Sequence, residues 1–424
     1  MISKILNFLN SNKIIPFFII TPIVYAIGTA TEEILIGAQK ARKMNKKILI
    51  IFPTWGKLFF DYDVCNNFLS SHLILNNYKQ FEATRLKKLI TLLVNIELII
   101  SRSIIFVFKY FLNKQTKEKL KFPRVGINFS YSEDNINHKN LKKVKFNEIP
   151  ALITSNEKIN IIRDEKHLYK IKDQIKFDFD EPYVCLQVRD SAFYNDSNRK
   201  DYRNSNITNY YEMIKFLLSK NFKVVRMGSK VHHKLKIKDK NLIDYPFSNF
   251  YNKYLDLYFI QNCNFYIGTS SGLIDIAWMF NRPVLLTNMV NIFSGLPRNE
   301  IDRGIFKKIY HNDKKLSLSE YMDLPFSFHN LDSNIDDLKY EENSSEELHQ
   351  AAVSFVDNLE KNDKKLDQNQ ILFNSLVIQR LEKMFYERSE INCLSNYHAC
   401  LNMMRITKSC KGSLSSFFLK KHLN

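Results

Sequence analysis

The sequence predicts an α/β chain of two parallel-sheet domains facing a cleft, with helices appended at the C-terminus. Three observations predict it. Apolar runs of strand length alternate with helix-length stretches in both halves of the chain, the pattern of a parallel sheet wound with crossover helices. The runs are nearly unbroken in Ile, Leu and Val (KKILIIFP, YVCLQV, VLLTN), as strands buried on both faces require. The 424 residues suit two domains of roughly 100–200 residues each plus appendages.

Each element follows from its own stretch. PFFIITPIVYAIG, from Pro16, is the first strand. A secretory signal is its competing reading, because Lys4 and Lys13 precede it and small residues cluster near Ala30. Pro16, Pro22 and the helix and strand that follow favour the strand. The run also falls short of the ~20 residues of a membrane span. TEEILIGAQKARKM is the next helix, with Thr31 as its N-cap, and KKILIIFP is the second strand. Leu86 to Leu112 form a long apolar helix that Glu97, Arg102 and Lys109 interrupt, so it is either a core helix or one lying on a membrane surface.

From Asn128 to Lys176 polar residues dominate. That places an interdomain region between a domain over residues 14–165 and a second over 178–330. EPYVCLQVRD opens the second domain as a strand. NYYEMIKFLLSKNFKVVRMG gives helix, a turn at Asn221 and strand, and NLIDYPFS gives a short strand and loop. YNKYLDLYFIQNCNFYIGTSSGLIDIAWMFNRPVLLTN gives helix, strand, helix, strand. Two Rossmann-like halves are the economical picture. Beyond Asp332 the chain turns acidic, and two helical stretches follow. In SSEELHQAAVSFVDNLE, Ser344 or Ser345 caps ahead of Glu346 and Glu347. With NQILFNSLVIQRLEKMF this makes an extension over 340–424 that packs across the domains.

The composition excludes some functions. A net charge of +18, from 62 Lys and Arg against 44 Asp and Glu, favours anionic partners. Abundant Lys, Asn and Ile also read as AT-rich coding bias, which makes part of that charge incidental. The basic residues are scattered rather than clustered with stacking aromatics, which argues against nucleic acid. Of the six cysteines, Cys65 stands alone and Cys185 and Cys263 sit in apolar runs as small hydrophobes. Cys393, Cys400 and Cys410 with His398 lack the paired spacing of a zinc site. Reduced thiols in a cytoplasmic protein fit this usage.

Three stretches carry chemistry. In FYIGTSSGLIDIAWMF, Gly268 and Gly272 flank Thr269, Ser270 and Ser271 between a buried strand and an apolar helix. The helix starts with unbonded N–H groups and a positive dipole end, and the hydroxyls add donors without bulk. Together they form a neutral cradle for a phosphate or diphosphate, or simply a capped helix. In VCLQVRD, a strand ends in Arg189 and Asp190, where a parallel sheet opens. Arg189 forks to phosphate or is held in an ion pair, and Asp190 fixes it or takes a sugar hydroxyl. A polar loop with Arg199, Lys200 and Arg203 follows. In VVRMGS, Arg226 and Gly228 again end a strand. Three such ends converge on one crevice. Asp275 is polar lining or a cap, Asp244 and Tyr245 are near a nucleotide base or an ordinary loop, and Arg298, Asp302 and Arg303 are a lid or a surface salt-bridge set. His232 and His233 have no assigned role.

The order YVCLQVRDSAFY, DYRNSNITNYYEMIKFLLSKNFKVVRMGS, LIDYPFS, LYFIQNCNFYIGTSSGLIDIAWMFNRPVLLTN resembles a family of bacterial glycosyltransferases of the two-Rossmann (GT-B) type, found with surface-polysaccharide genes. AIGTATEEILIGAQKARKMNKKILIIF and GSLSSFFLKKHLN extend the likeness over nearly the whole chain. The family's strand motif commonly reads His-Val-Arg-Asp, and here Gln187 replaces the His. The glycine–hydroxyl turn also resembles, more distantly, the donor loop of heptosyltransferases.

The resemblance implies sugar transfer from a nucleotide-activated donor to a glycan or lipid-linked acceptor, with no metal or other cofactor. Arg189, Asp190, Arg226, Gly228 and the Gly268, Thr269, Ser270, Ser271, Gly272 turn would hold the donor. Gly28 and Thr29 would face the acceptor. An inverting transfer needs a base, for which Glu32 or Glu33 is the candidate beside Arg189 as the second catalytic residue; a retaining one needs neither. Asp-x-Asp pairs at Asp61/Asp63 and Asp178/Asp180 end no clear strand and read as solvated. The implied location is cytoplasmic, with contact at the inner-membrane surface compatible with the basic charge. A non-catalytic nucleotide-sugar-binding scaffold and a sugar-nucleotide epimerase or hydrolase are the alternatives.

Overall fold

A computed structural model describes residues 2–24, 26–52, 65–75, 78–79, 84–111, 146–153, 158–172, 181–193, 201–329, 337–387 and 394–424. The chain divides into two compact units, residues 1–133 with 155–163, and residues 134–154 with 164–424. The Asp-x-Asp pairs, Arg199, Lys200 and Cys393 lie outside the described residues, as does the side chain of His398.

The first unit opens with a helix that the sequence pattern did not announce, α1 (Ile2–Ser11). Strand β1 (Phe17–Ile20), helix α2 (Ile27–Lys43) and strand β2 (Lys47–Ile50) follow, and β1 and β2 pair in parallel from Phe17↔Lys47 to Ile20↔Ile50. Ile19, Ile20, Leu49 and Ile50 are fully buried. Asn10 of α1 serves the open edge of β1. Its side chain donates to the Ile19 carbonyl (2.9 Å) and accepts from the Ile19 amide (2.7 Å), which satisfies the pair of backbone groups that an edge strand leaves bare.

Helix α2 starts at Ile27, four residues ahead of the expected cap. Ala26 occupies the cap position, and Thr31 lies inside the helix with its hydroxyl donating to the Ile27 carbonyl at 2.8 Å. Gly28 and Thr29 therefore belong to the first helical turn rather than to a loop. Glu33, one of the two candidate bases, is buried and accepts from the Ile23 amide at 2.7 Å. It cross-links the loop after β1 to α2, a role that the one-dimensional pattern does not reveal.

A small antiparallel sheet completes this unit in the order β4-β3-β5, from β3 (Leu73–Leu75), β4 (Tyr78–Lys79) and β5 (Ile159–Ile161). Between β4 and β5 in sequence runs α3 (Thr84–Phe111). Ile90, Val94 and Asn95 are buried, whereas Leu89, Leu92, Leu93, Ile96 and Ile100 are 37–54% exposed. The exposed set recurs at helical spacing, so α3 is no fully buried core helix. Among the described residues, no helix is long and apolar enough to cross a membrane.

The second unit is organised by a seven-stranded sheet. After α4 (Glu165–Lys172), the chain forms β6 (Tyr183–Gln187), α5 (Tyr211–Ser219), β7 (Lys223–Met227), β8 (Leu242–Asp244), α6 (Lys253–Asn262), β9 (Phe265–Gly268), α7 (Gly272–Met279), β10 (Val284–Met289) and β11 (Arg303–Phe306). Every pairing in this sheet is parallel, and with β15 (Ser413–Leu414) at one edge the order is β15-β11-β10-β9-β6-β7-β8. The chain builds from β6 outward to β8, then crosses back to lay β9, β10 and β11 on the other side. Strand order thus reverses between β6 and β9. A crevice at such a reversal, outside the carboxyl ends of the strands, is where doubly wound sheets hold ligands.

Side chains alternate across the sheet. Phe265 meets Phe355 edge-on at 5.4 Å on one face, while Tyr183 meets Phe259 of α6 on the other. The burial pattern of β6, β7, β9 and β10 is unbroken, as their apolar runs require.

A second small sheet, β13-β12-β14, is antiparallel and was not foreseen. Strands β12 (Lys308–His311) and β13 (Lys314–Leu316) are joined by Asn312 and Asp313, at φ 50° and 61°. Two consecutive left-handed residues make the tight turn that matches strand twist, and Asn and Asp tolerate that conformation best after glycine. Helices α8 (Leu318–Met322) and α9 (Phe326–His329) lead to β14 (Leu338–Glu341). Then come α10 (Ser345–Lys361), α11 (Gln368–Glu387), α12 (Leu394–Ser409), β15 (Ser413–Leu414) and α13 (Ser416–His422).

Ser344 caps α10 in a capping box: its hydroxyl accepts from the Glu347 amide (3.2 Å) and its amide donates to the Glu347 carboxylate (2.9 Å). The C-terminal segment does more than pack. Strand β15 pairs with β11, which makes residues near the chain end an integral edge of the main sheet. Cys185 and Cys263 are buried free thiols.

Candidate functional site

The site is built on the reversal between β6 and β9. Gln187 pairs with Gly268 in register, and both chains then leave the sheet. Gly268 is needed for contact: a Cβ there would stand 2.5 Å from a ring carbon of Tyr266 and 3.4 Å from Ile274 of α7. The helix N-terminus is thereby drawn down against the strand end. Ser271 holds the N-cap position in extended conformation, and α7 begins at Gly272. Its hydroxyl reaches across to Gln187 Oε1 at 2.8 Å. Gln187 therefore ties the helix start to the central strand.

The hydroxyls divide their tasks. Thr269 is fully buried, and its Oγ1 accepts from the Arg189 amide at 3.0 Å while its own amide donates to the Gln187 carbonyl at 3.2 Å. It is a brace between the two strand ends rather than an open donor. Ser270 presents its carbonyl to Arg203, at 3.1 Å from Nε and 2.6 Å from Nη2. What the turn offers a ligand is the backbone N–H set at the start of α7, with its positive dipole end.

Arg189 is 6% exposed and its guanidinium donates to Asn204 Oδ1. Asn204 belongs to a segment that crosses above the carboxyl ends of the central strands. Ser205 donates its amide to the Arg189 carbonyl at 2.8 Å, Arg203 rests on Ser270, and Tyr210 O–H meets Thr287 Oγ1 at 2.9 Å beyond β9. Lys307, just past the end of β11, donates to the Asn204 carbonyl at 2.5 Å. Burial pushes the Lys307 pKa down to about 8, with Glu342 opposing the fall and Arg189 adding to it.

Strand β10 is shaped to fit beneath this segment. Its register with β11 slips between Leu286 and Met289, and Asn288 sits at φ 51°. Asn288 and Asn343 exchange side-chain-to-amide bonds at 2.8 and 2.7 Å, and Asn288 Nδ2 donates to Tyr210 O–H at 2.9 Å. The bulge re-aims polar groups into the loop cluster.

Asp190 and Arg226 take other places. Asp190 accepts from the Ala192 amide (3.0 Å) and the His232 amide (2.9 Å), so it fastens the turn after β6 to the loop after β7. His232 Nε2 lies 2.8 Å from Ser191 Oγ. Arg226 is 1% exposed, 3.1 Å from Asp244 and 2.6 Å from the His233 carbonyl. It pairs in register with Leu186, whereas Gly268 pairs with Gln187. Successive residues point to opposite faces, so Arg226 lies on the face opposite Gln187 and Gly268. Gly228 follows at φ +138°, a conformation open to glycine and strained for any other residue.

Asp244 and Tyr245 are structural as well. Asp244 also accepts from the Leu235 amide at 2.8 Å, and the fully buried Tyr245 exchanges bonds with Asn252. The Arg298–Arg303 segment is no lid. Asp302 is fully buried and accepts from Val284 N, Asn299 N and Trp278 Nε1 at 2.8–2.9 Å. Burial raises its pKa to about 6 against the pull of those donors. Arg298 stacks on Trp278 at 4.2 Å and stands 3.9 Å from Asp275. Gly28, Thr29 and Glu32 belong to the other unit, in the first two turns of α2.

The structure brings Arg189, the glycine–hydroxyl turn and Arg203 together with Asn204 and Lys307, two residues that the sequence reading did not single out. Lys307 follows Ile305 and Phe306 at the end of β11, a much shorter apolar stretch than the YVCLQV that precedes Arg189. Among the described residues, no group of three or more His, Cys, Asp or Glu side chains is placed to hold a metal.

No protein-family model matches the chain, and no curated protein does. Solved structures show partial likeness. A dodecameric iron-containing heptosyltransferase, TibC, in complex with ADP-D-beta-D-heptose aligns at 22% identity over 27% of this chain and 28% of its own, with a TM-score of 0.18. TibC from enterotoxigenic E. coli H10407 aligns at 23% identity over 25% of this chain and 27% of its own, with a TM-score of 0.17. The E. coli ADP-heptose LPS heptosyltransferase II aligns at 12% identity over 63% of this chain and 83% of its own, with a TM-score of 0.35. The chain therefore spans less than a third of the length of the first two, and none of the three superpositions reaches a TM-score of 0.5. The chain is a mixed α/β protein with a seven-stranded parallel sheet, and these three solved structures with which it shares partial likeness are glycosyltransferases.

Proposed function

We propose that the chain is a glycosyltransferase that moves a sugar from a nucleotide-activated donor to a cell-surface glycan or lipid-linked acceptor at the cytoplasmic face of the inner membrane. One observation carries this: at the strand-order reversal of a doubly wound sheet, the buried Arg189 is bonded through its amide to Thr269 in the turn that leads into α7. That geometry suits a diphosphate, because helix N–H groups and a guanidinium both stabilise negative charge without taking up protons.

Charge builds on the leaving nucleoside diphosphate as the glycosidic bond breaks. Donors already aimed at that charge lower the barrier without reorganising. Arg189 is fixed by Asn204 and by the Thr269 bond to its amide, so its placement is set before substrate arrives. Ser271 and Gln187 hold the start of α7 in place. Stabilisation by these groups removes the need for an essential metal. Arg226 braces the loop through Asp244 instead of meeting the donor. In an inverting reaction Glu32 is the proposed base toward the acceptor hydroxyl.

The test is turnover. The full chain is incubated with UDP-, GDP-, CMP- and ADP-sugars, with and without an acceptor fraction from envelope lysate. Nucleotide release that depends on the acceptor fraction is expected from one of these donors. Interconversion of free donors without acceptor, or no turnover of any donor with acceptor present, would overturn the reading.

A further inference from the structure

Three cations converge on one short segment above the main sheet. Arg189 arrives from the end of β6 and donates to the Asn204 side chain, while Lys307 arrives from the end of β11 and donates to the Asn204 carbonyl. Arg203, next in the chain, is pinned to Ser270 at the end of β9. Lys307 is 3% exposed. An ammonium has three N–H donors, and among the described residues Asn204 O is the hydrogen-bond acceptor it reaches.

Among the described residues, the carboxylates near Lys307 hydrogen-bond other groups, and Glu342 acts on the ammonium through its charge alone. Glu342 takes the Asn206 amide at 2.8 Å and Asn209 Nδ2 at 3.2 Å. Glu341 and Glu347 take the neighbouring Lys308, at 2.7 and 3.7 Å. Among the described residues, neither Lys307 nor Arg203 has a carboxylate within 4 Å. Gathering like charges in a desolvated place is unfavourable, and a polyanionic ligand offsets it.

We propose that Lys307, together with Arg189 and Arg203 around Asn204, forms a pyrophosphate-binding subsite in which the Lys307 ammonium contacts the ligand directly. The proposal rests on the nucleotide-sugar reading and names a residue that carries its diphosphate. The subsite has a built-in pH dependence. The charged groups that act on Lys307 are Glu342, just past β14, and Arg189 from the β6 end, while Arg203 of the crossing segment is held on the Ser270 carbonyl. A guanidinium does not discharge over the working pH range, so the lysine carries the pH dependence. Burial sets its pKa near 8. Anion affinity therefore falls as pH rises through that value.

The experiment titrates inorganic pyrophosphate into the full chain by calorimetry at about pH 7 and about pH 9.5, either side of the lysine transition. Wild-type affinity is expected to fall on the order of tenfold between them, although the ligand gains charge over that range. Lys307→Met is expected to bind weakly at both, and Lys307→Arg tightly at both, because a guanidinium does not discharge. A wild-type affinity that does not fall over this range, or Lys307→Met binding like wild type, overturns the subsite. If Lys307→Met fails to fold, the comparison of wild type with Lys307→Arg still decides. UDP, GDP, CDP and ADP serve as second probes. Equal nucleotide binding by wild type and Lys307→Met sinks the subsite and leaves the nucleotide reading standing. Lysine-dependent pyrophosphate binding with no nucleotide binding sinks that reading and leaves the subsite.

Discussion

Arg189→Ala is expected to weaken nucleoside diphosphate binding on the order of a hundredfold while the protein stays folded. A charge-assisted hydrogen bond contributes roughly 1.5–3 kcal/mol, and a forked contact more. The truncation keeps the backbone N–H that bonds Thr269 Oγ1, so the link between the ends of β6 and β9 survives. The side chain's bond to Asn204 is lost, along with a cation at the crevice. Arg189→Lys keeps the charge and loses the fork, and should fall between the two. The measurement is a calorimetric titration beside a thermal melt. Wild-type affinity in Arg189→Ala would remove this residue from the donor site.

Asp244→Ala is expected to be among the most destabilising single changes in the second unit and to leave nucleotide affinity of the folded protein unaltered. Arg226 is 1% exposed and would keep its charge without its carboxylate. Removing one partner of a buried pair costs about 3–5 kcal/mol. For a unit of this size that lowers the melting temperature by roughly 10 °C. The loss also frees the Leu235 amide, which loosens the loop that carries His232 and His233. Replacing both partners, as Arg226→Met with Asp244→Leu, should recover much of the loss, since no charge is then stranded. An Asp244→Ala protein that melts like wild type but binds nucleotide poorly would return Arg226 to the ligand site.

The contrast between these two arginines marks what a sequence can reveal. Both follow apolar runs, so both read as charges delivered to a sheet's open end. Strand pairing decides between them: Arg226 shares its register with Leu186, one residue short of Gln187, and pleating sends it to the opposite face. Register is a property of two strands, and one strand's residues do not carry it. The alternation of strands and helices, the Gly268–Gly272 turn and the Ser344 cap were legible because each is local in the chain. The α1 helix, β15 and the buried Glu33 were not, because each depends on a distant partner: Ile19 for Asn10, β11 for β15, Ile23 for Glu33. The PRNEIDRG stretch reads as charged surface, yet Asp302 is buried because three donors from separate elements reach it.

Lys307 was not legible in place. It follows a much shorter apolar stretch than Arg189 does, and what brings it to the crevice is the crossing of residues 201–210 over the sheet, which delivers Asn204 to both cations. That stretch carries part of the family likeness and Arg203, and nothing local in it marks Asn204 as the residue that meets both cations.

In the proposed function a nucleoside diphosphate sits at the carboxyl ends of β6 and β9, against the start of α7. Amide hydrogen exchange on the full chain, with and without saturating UDP, GDP, CDP or ADP, tests it most directly. Slowed exchange is expected from Gly272 to Ile274 and from Arg203 to Ser205 with whichever nucleotide binds. Saturable binding that protects other segments and leaves both of these unchanged would contradict it.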